Sequence, residues 1–214
     1  DTTDPRSQLA TAATTVMPVV DYADAETIEF HKLPASETGA GFKTWYGRGQ
    51  NLVISYTEVE PGAVLERHDH PEEYMFFSPD DTIKVDIETS NGKAEGVNYQ
   101  LAIIPPGDSK ITVTAGTGVV MRVFGSLSKD LAAQCNNAAS YAEPHPNISP
   151  FQAWPNPPEG FKLRLYPIAV APTPGRFGVL YRSTNIMINL FPVANEPSPP
   201  NKVSPHYHDD FEQC

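Results

Sequence analysis

Cysteine, basic residues and long apolar runs are all scarce in this chain, and each scarcity narrows what the protein can be. Two cysteines, Cys135 and Cys214, cannot build a disulfide framework and neither has a CxxC partner, so a reduced, cytoplasmic setting is expected. Fifteen Lys and Arg stand against 26 Asp and Glu, and the net charge of −11 argues against nucleic acid or an anionic membrane as a partner. No stretch approaches the roughly eighteen consecutive apolar residues of a membrane-spanning helix, so a soluble globular protein is expected. There is no initiator Met and no signal-like apolar segment, and the Thr/Ala-rich start from Thr2 to Thr15 reads as part of a flexible arm over residues 1–26. What remains suffices for a core: 214 residues, 40% hydrophobic and 10% aromatic, enough for one large or two small domains.

Twenty-two prolines and few long helical patterns favour an all-β chain. Leu52, Ile54 and Tyr56 alternate with Val53, Ser55 and Thr57. Ile83, Val85 and Ile87 alternate with Lys84, Asp86 and Glu88, as a half-buried strand requires. Ser90-Asn91-Gly92 supplies turn chemistry for a hairpin returning toward Tyr99 to Ile104, and Val119 to Phe124 closes the first unit. Leu127, Leu131 and Cys135 recur every four residues and predict a short amphipathic helix. Six prolines between Pro144 and Pro158 then mark a semi-rigid linker, before strands resume near Phe161.

An internal repeat runs through this pattern. Leu33-Pro34, Tyr46, Asn51 to Tyr56 and His68-Asp69-His70 have counterparts in Tyr166-Pro167, Tyr181, Asn185 to Leu190 and His206-Tyr207-His208. A glutamate trails each HxH pair, Glu73 in the first copy and Glu212 in the second. Side chains two apart on a strand share a face, so an HxH pair can offer two imidazoles to one ion and a carboxylate can join from the next strand. Imidazole with carboxylate suits Fe, Mn, Zn, Ni or Cu rather than Ca or Mg. On that reading Glu66, His68 and His70 share one face, and His68, His70 and Glu73 form one metal set while His206, His208 and Glu212 form another. Asp209 and Asp210 read as solvated turn residues or as partners for an imidazole N–H, His31 and His145 as non-ligands, and Tyr46 and Tyr181 as core aromatics.

These residues resemble the cupin superfamily, whose first motif is glycine, five residues, HxH, three or four residues and glutamate, and whose second is PxG followed by a histidine. Gly62, His68, His70 and Glu73 match the first motif, with Glu73 one residue early, and Pro105-Pro106-Gly107 matches the PxG. Lys110 stands where the fourth ligand, a histidine, is expected. In the second copy His206, His208 and Glu212 have regular spacing, but Pro200 replaces the leading glycine. The resemblance implies a duplicated, bicupin-like antiparallel jelly roll: a first barrel over 27–125, helix and linker over 126–160, and the first part of a second barrel over 161–214. The second copy lacks about fifty residues by the distance from Glu73 to Phe124, which reads as truncation after Cys214 or completion by another chain in an oligomer.

The resemblance further implies a divalent transition metal, iron above the others, and an enzyme acting on a small organic molecule, a non-haem iron dioxygenase in the leading reading. A zinc- or manganese-dependent isomerase, lyase or decarboxylase uses the same ligands. A non-catalytic cupin that binds a small ligand is the other class. Lys110 bears on that choice: pointing inward it would bind substrate or an anion, or neutralise Glu73, and if Ile111 and Val113 point inward it is a surface lysine.

Overall fold

The computed structural model describes residues 26–146, 148–172 and 178–191, together with Glu212 and Cys214. Its strands are β1 (Glu37–Gly39), β2 (Phe42–Arg48), β3 (Leu52–Val59), β4 (Val64–His70), β5 (Tyr74–Phe77), β6 (Lys84–Thr89), β7 (Gly92–Asn98), β8 (Gln100–Ile104), β9 (Gly107–Ala115) and β10 (Gly118–Gly125). One helical turn, α1 (Lys129–Ala132), follows, and then β11 (Arg164–Pro167), β12 (Val179–Arg182) and β13 (Met187–Leu190). Every strand pairing is antiparallel.

From β3 to β10 the chain changes sheet at every connection except the β6–β7 hairpin. The larger sheet runs β1-β2-β3-β10-β5-β8-β11, the smaller β4-β9-β6-β7. The order β3-β10-β5-β8 facing β4-β9-β6-β7 is that of a jelly roll, the architecture that the resemblance implies. The core lies between the sheets: Ile83, just ahead of β6, and Val85 and Ile87 on it, all at most 2% exposed, meet Tyr74, Phe76, Ala102, Ile104 and Phe124 of the larger sheet. The predicted inward face of β6 is thus the observed one.

Three local expectations change. The turn after Thr89 is where expected, but the hairpin partner of β6 is β7, and Gln100–Ile104 belongs to the opposite sheet as β8. The amphipathic helix shrinks to α1 plus a 3-10 turn at Ala138–Tyr141, with Leu131 and Cys135 buried against the barrel and Leu127 exposed. After the linker, β11 does not start a separate sheet. It pairs with β8 at the edge of the first one, where it covers a raw strand edge.

The repeat survives as a recurring hairpin, β2–β3 in the first copy and β12–β13 in the second. That second hairpin lies on the outer face of the larger sheet, where Tyr181 and Ile186 pack on Met75, Leu101, Ile103 and Val123. Covered on both faces, β8 reads as an unbroken apolar run, Leu101 to Ile104, each 0% exposed.

Candidate functional site

The HxH pair of the first copy is split by a β-bulge. On β4, Arg67 pairs with Ser109 and His70 with Gly107, so three steps on β4 span two on β9. The extra residue is accommodated at Asp69, whose φ of 46° is left-handed and whose amide N–H donates to Asp108 Oδ1 at 2.9 Å. Asp is one of the few non-glycine residues that enters this conformation at modest cost. The bulge breaks the two-residue alternation. His70 joins Leu65 and Arg67 on the inward face and is 2% exposed, whereas the His68 side chain is 76% exposed beside Asp108. The expectation that Glu66, His68 and His70 share a face is corrected accordingly.

Glu73 lies on the other side of its sheet. It precedes Tyr74, which faces the barrel interior, and so projects with Met75 toward the second hairpin. There its carboxylate accepts from Arg164 Nη2 at 2.6 Å, from Thr184 N at 2.9 Å and from Thr184 Oγ1 at 3.0 Å. Neighbouring Glu72 accepts from Leu127 N, Ser128 Oγ and Asn185 Nδ2, and burial raises its pKa despite those bonds. The two glutamates therefore fasten the second hairpin to the barrel. The one-residue offset of Glu73 from the motif has a physical meaning: the inward position at regular spacing is Tyr74.

Lys110 is exposed on β9, opposite Glu66 and Glu88 on the flanking strands, while Ser109, Ile111 and Val113 point inward. Its surface-lysine alternative is the one realised. Glu212 sits at the β2–β3 turn, its two oxygens accepting from Gln50 N at 2.8 Å and Asn51 N at 2.6 Å. A Cβ on Gly49 would collide with that carboxylate, so glycine keeps the turn open for it. His206 and His208 lie outside the described residues.

What the fold does assemble is a polar layer inside the first barrel. Tyr46, Ser55 and Arg122 are neighbours in one row across β2, β3 and β10, and Arg67 pairs with Ser109 across the facing sheet. Arg122 stands between inward Val120 and Phe124 and is 2% exposed; its Nη2 donates to Tyr46 Oη at 3.3 Å, and Tyr46 donates to Glu37 Oε2 at 2.7 Å. Burial, partly opposed by Arg122, pushes the Tyr46 phenol up to about 12. His70 packs edge-on against Tyr74 and Phe124 at 5.2 and 5.5 Å between ring centres. The guanidinium carbons of Arg67 and Arg122 lie 5.9 and 5.4 Å from the centre of the same Phe124 ring. The Tyr74 hydroxyl and Ser109 Oγ satisfy each other at 2.8 Å. Arg67 also reaches Asp130 of α1 at 2.8 Å, closing this end of the barrel.

The sequence reading missed Arg67, Arg122, Tyr74 and Ser109. A signal existed for one of them: in Val120-Met121-Arg122-Val123-Phe124 a two-residue period puts an arginine on the apolar, inward face.

These residues do not fit a divalent cation. Among the described residues no group of three or more His, Cys, Asp or Glu side chains converges on a point. The one imidazole inside, His70, has two guanidinium groups as neighbours, and burial followed by the charge of Arg67 drives its pKa down to about 4. Cationic neighbours repel a metal ion where a ligand carboxylate would attract it.

No family model matches the chain, and no curated protein matches it. Solved structures do. KdgF from Halomonas sp. aligns over 48% of this chain and 94% of its own, at 10% identity and a TM-score of 0.38. An oxalate decarboxylase variant from Bacillus subtilis aligns over 53% of this chain and 34% of its own, at 18% identity and a TM-score of 0.40. An RmlC-like cupin from Shewanella frigidimarina aligns over 50% of this chain and 96% of its own, at 14% identity and a TM-score of 0.38. The chain thus spans about a third of the oxalate decarboxylase it is similar to. Likeness at this level carries no argument about chemistry, and the strand order argues the fold without it. Among the described residues the chain folds as an antiparallel jelly roll, with a cationic, aromatic-walled interior where a convergent set of histidines and carboxylate was expected.

Proposed function

We propose that the first jelly roll is a small-ligand-binding cupin, its site being the polar layer around His70 inside the barrel. The carrying observation is that His70 Nε2 is buried without a hydrogen-bond partner, while its ring packs edge-on against Tyr74 and Phe124. A buried polar atom left unpaired costs roughly 1–3 kcal/mol, so such an atom aimed into a barrel is a place for a ligand group. Aromatic walls with a few directed polar groups are the usual make-up of a small-molecule site. The test is native mass spectrometry of the gently purified protein, with His70→Phe as comparison. A co-purified small molecule present in the parent and lost in the variant is expected; identical masses in both, with no molecule retained, would refute the reading.

The metal-dependent reading, with iron-assisted dioxygenation at its head, keeps its support in the His206 and His208 pair of the second copy, since both Glu212 oxygens are engaged by Gln50 N and Asn51 N at the β2–β3 turn. It predicts that His206→Ala or His208→Ala lowers bound metal while His68→Ala, His70→Ala and Glu73→Ala leave it unchanged. Metal content that falls with His70→Ala as much as with His208→Ala would overturn the division of roles between the two copies.

A further inference from the structure

The first barrel carries the wrong sign of charge for a metal, and that disagreement has a chemical reading of its own. We infer that the interior binds a small carboxylate, with Arg122 as its principal partner and Arg67 and His70 at its flanks. The inference rests on the interior-site reading above and adds the class of ligand.

Arg122 is the observation that carries it. A guanidinium this deeply buried is ordinarily paired, because a charge taken out of water without a counter-charge is expensive. Among the described residues no carboxylate lies within 4.0 Å of it, its Nε has no partner, and its one side-chain bond is a 3.3 Å contact to a neutral phenol. The nearest acid along that chain of bonds is Glu37, which belongs to exposed β1 and is reached only through Tyr46. Arg67 Nε points at His70 Nδ1 at 3.3 Å, and a guanidinium can only donate. The imidazole proton therefore sits on Nε2, which makes that orphaned atom a donor as well. The interior thus presents unused N–H groups of Arg122 and His70 and no unused acceptor among its described buried polar atoms.

An acceptor-only group with negative charge answers both deficits, and a carboxylate matches the planar fork of a guanidinium. Phe124, which both guanidiniums flank, and Tyr74 beside it offer apolar contact to the rest of such a molecule. Asp130 is the resident acid in competition. It holds Arg67 from α1, the element whose Leu131 plugs this end of the barrel.

Thermal unfolding at constant ionic strength, with acetate, benzoate, their neutral amides and sodium chloride in parallel, tests this. Acetate or benzoate is expected to raise the midpoint, by about 3 °C at ten times its dissociation constant, while chloride and the amides do not. Arg122→Gln should abolish the shift and Arg122→Lys retain part of it. Asp130→Asn, which frees Arg67, should strengthen binding several-fold, a gain that misfolding cannot mimic. Lys43→Ala, which removes an exposed surface charge on β2, should leave the shift intact. Equal shifts from acetamide and acetate, abolished by His70→Phe, would overturn the carboxylate inference and leave the interior site standing. A carboxylate shift that Lys43→Ala reduces as much as Arg122→Gln would overturn it as well, by assigning binding to the surface. No shift from any compound, in Asp130→Asn as in the parent, would sink it.

Discussion

Acidification from about pH 7.5 to about pH 5 is expected to cost roughly 2 kcal/mol of stability through His70 alone. The imidazole is 2% exposed, held between aromatic rings and near two guanidiniums, and its pKa falls from 6.5 to about 4. Because the folded value lies below the unfolded one, the unfolded chain binds the extra proton first. Stability is therefore complete above about 6.5 and is lost as pH falls toward 4. The full loss, below both values, corresponds to about 3 kcal/mol at roughly 1.4 kcal/mol per unit, and most of it has accrued by about pH 5. Urea denaturation of parent and His70→Gln at several pH values in that window measures it, in a buffer free of carboxylates so that no ligand is supplied to the barrel. Glutamine does not titrate, so the difference between the two profiles isolates the histidine. Parallel profiles, with the same loss in both proteins, would show that His70 is not held neutral and that the cationic environment assigned to it is wrong.

Asp69→Gly should fold as well as the parent, while Asp69→Val should lose about 1–2 kcal/mol in the same denaturation assay, because a β-branched residue opposes the left-handed bulge. Glu73→Ala leaves Arg164 without its carboxylate and should cost about 3 kcal/mol, with faster proteolysis of the linker ahead of the second hairpin; unchanged cleavage would show that the hairpin is held by its apolar face alone. Lys110→His should leave metal content unaltered by elemental analysis, since the side chain faces solvent on β9.

Much of the fold was legible before any coordinates. Period-two alternation through β6 is set by residues that must bury one face, and such a pattern survives folding because a register slip would expose all of them. The repeat of Tyr46 and Asn51–Tyr56 in Tyr181 and Asn185–Leu190, read as the start of a second barrel, falls on a second hairpin. Its placement was not legible: β11 completes an edge of the first sheet and β12–β13 covers that sheet's outer face, and both depend on long-range pairing that no local pattern encodes.

The candidate site divides along the same line. By itself, the sequence determined that His68 and His70 lie at the end of an inward-facing strand and that a glutamate and a PxG follow. Tertiary structure decided where they point. A single extra residue at Asp69 inverts the alternation that follows it, so His70 enters the barrel while His68 stays in solvent. One position of phase places Tyr74 inside and Glu73 outside, where Arg164 from 91 residues away neutralises it. The meeting of Arg67, Arg122, His70 and Tyr46 arises only when two sheets close face to face. Spacing along a strand fixes a side chain's direction only until a bulge intervenes, and the charge of an interior is the sum over strands that the chain order keeps far apart.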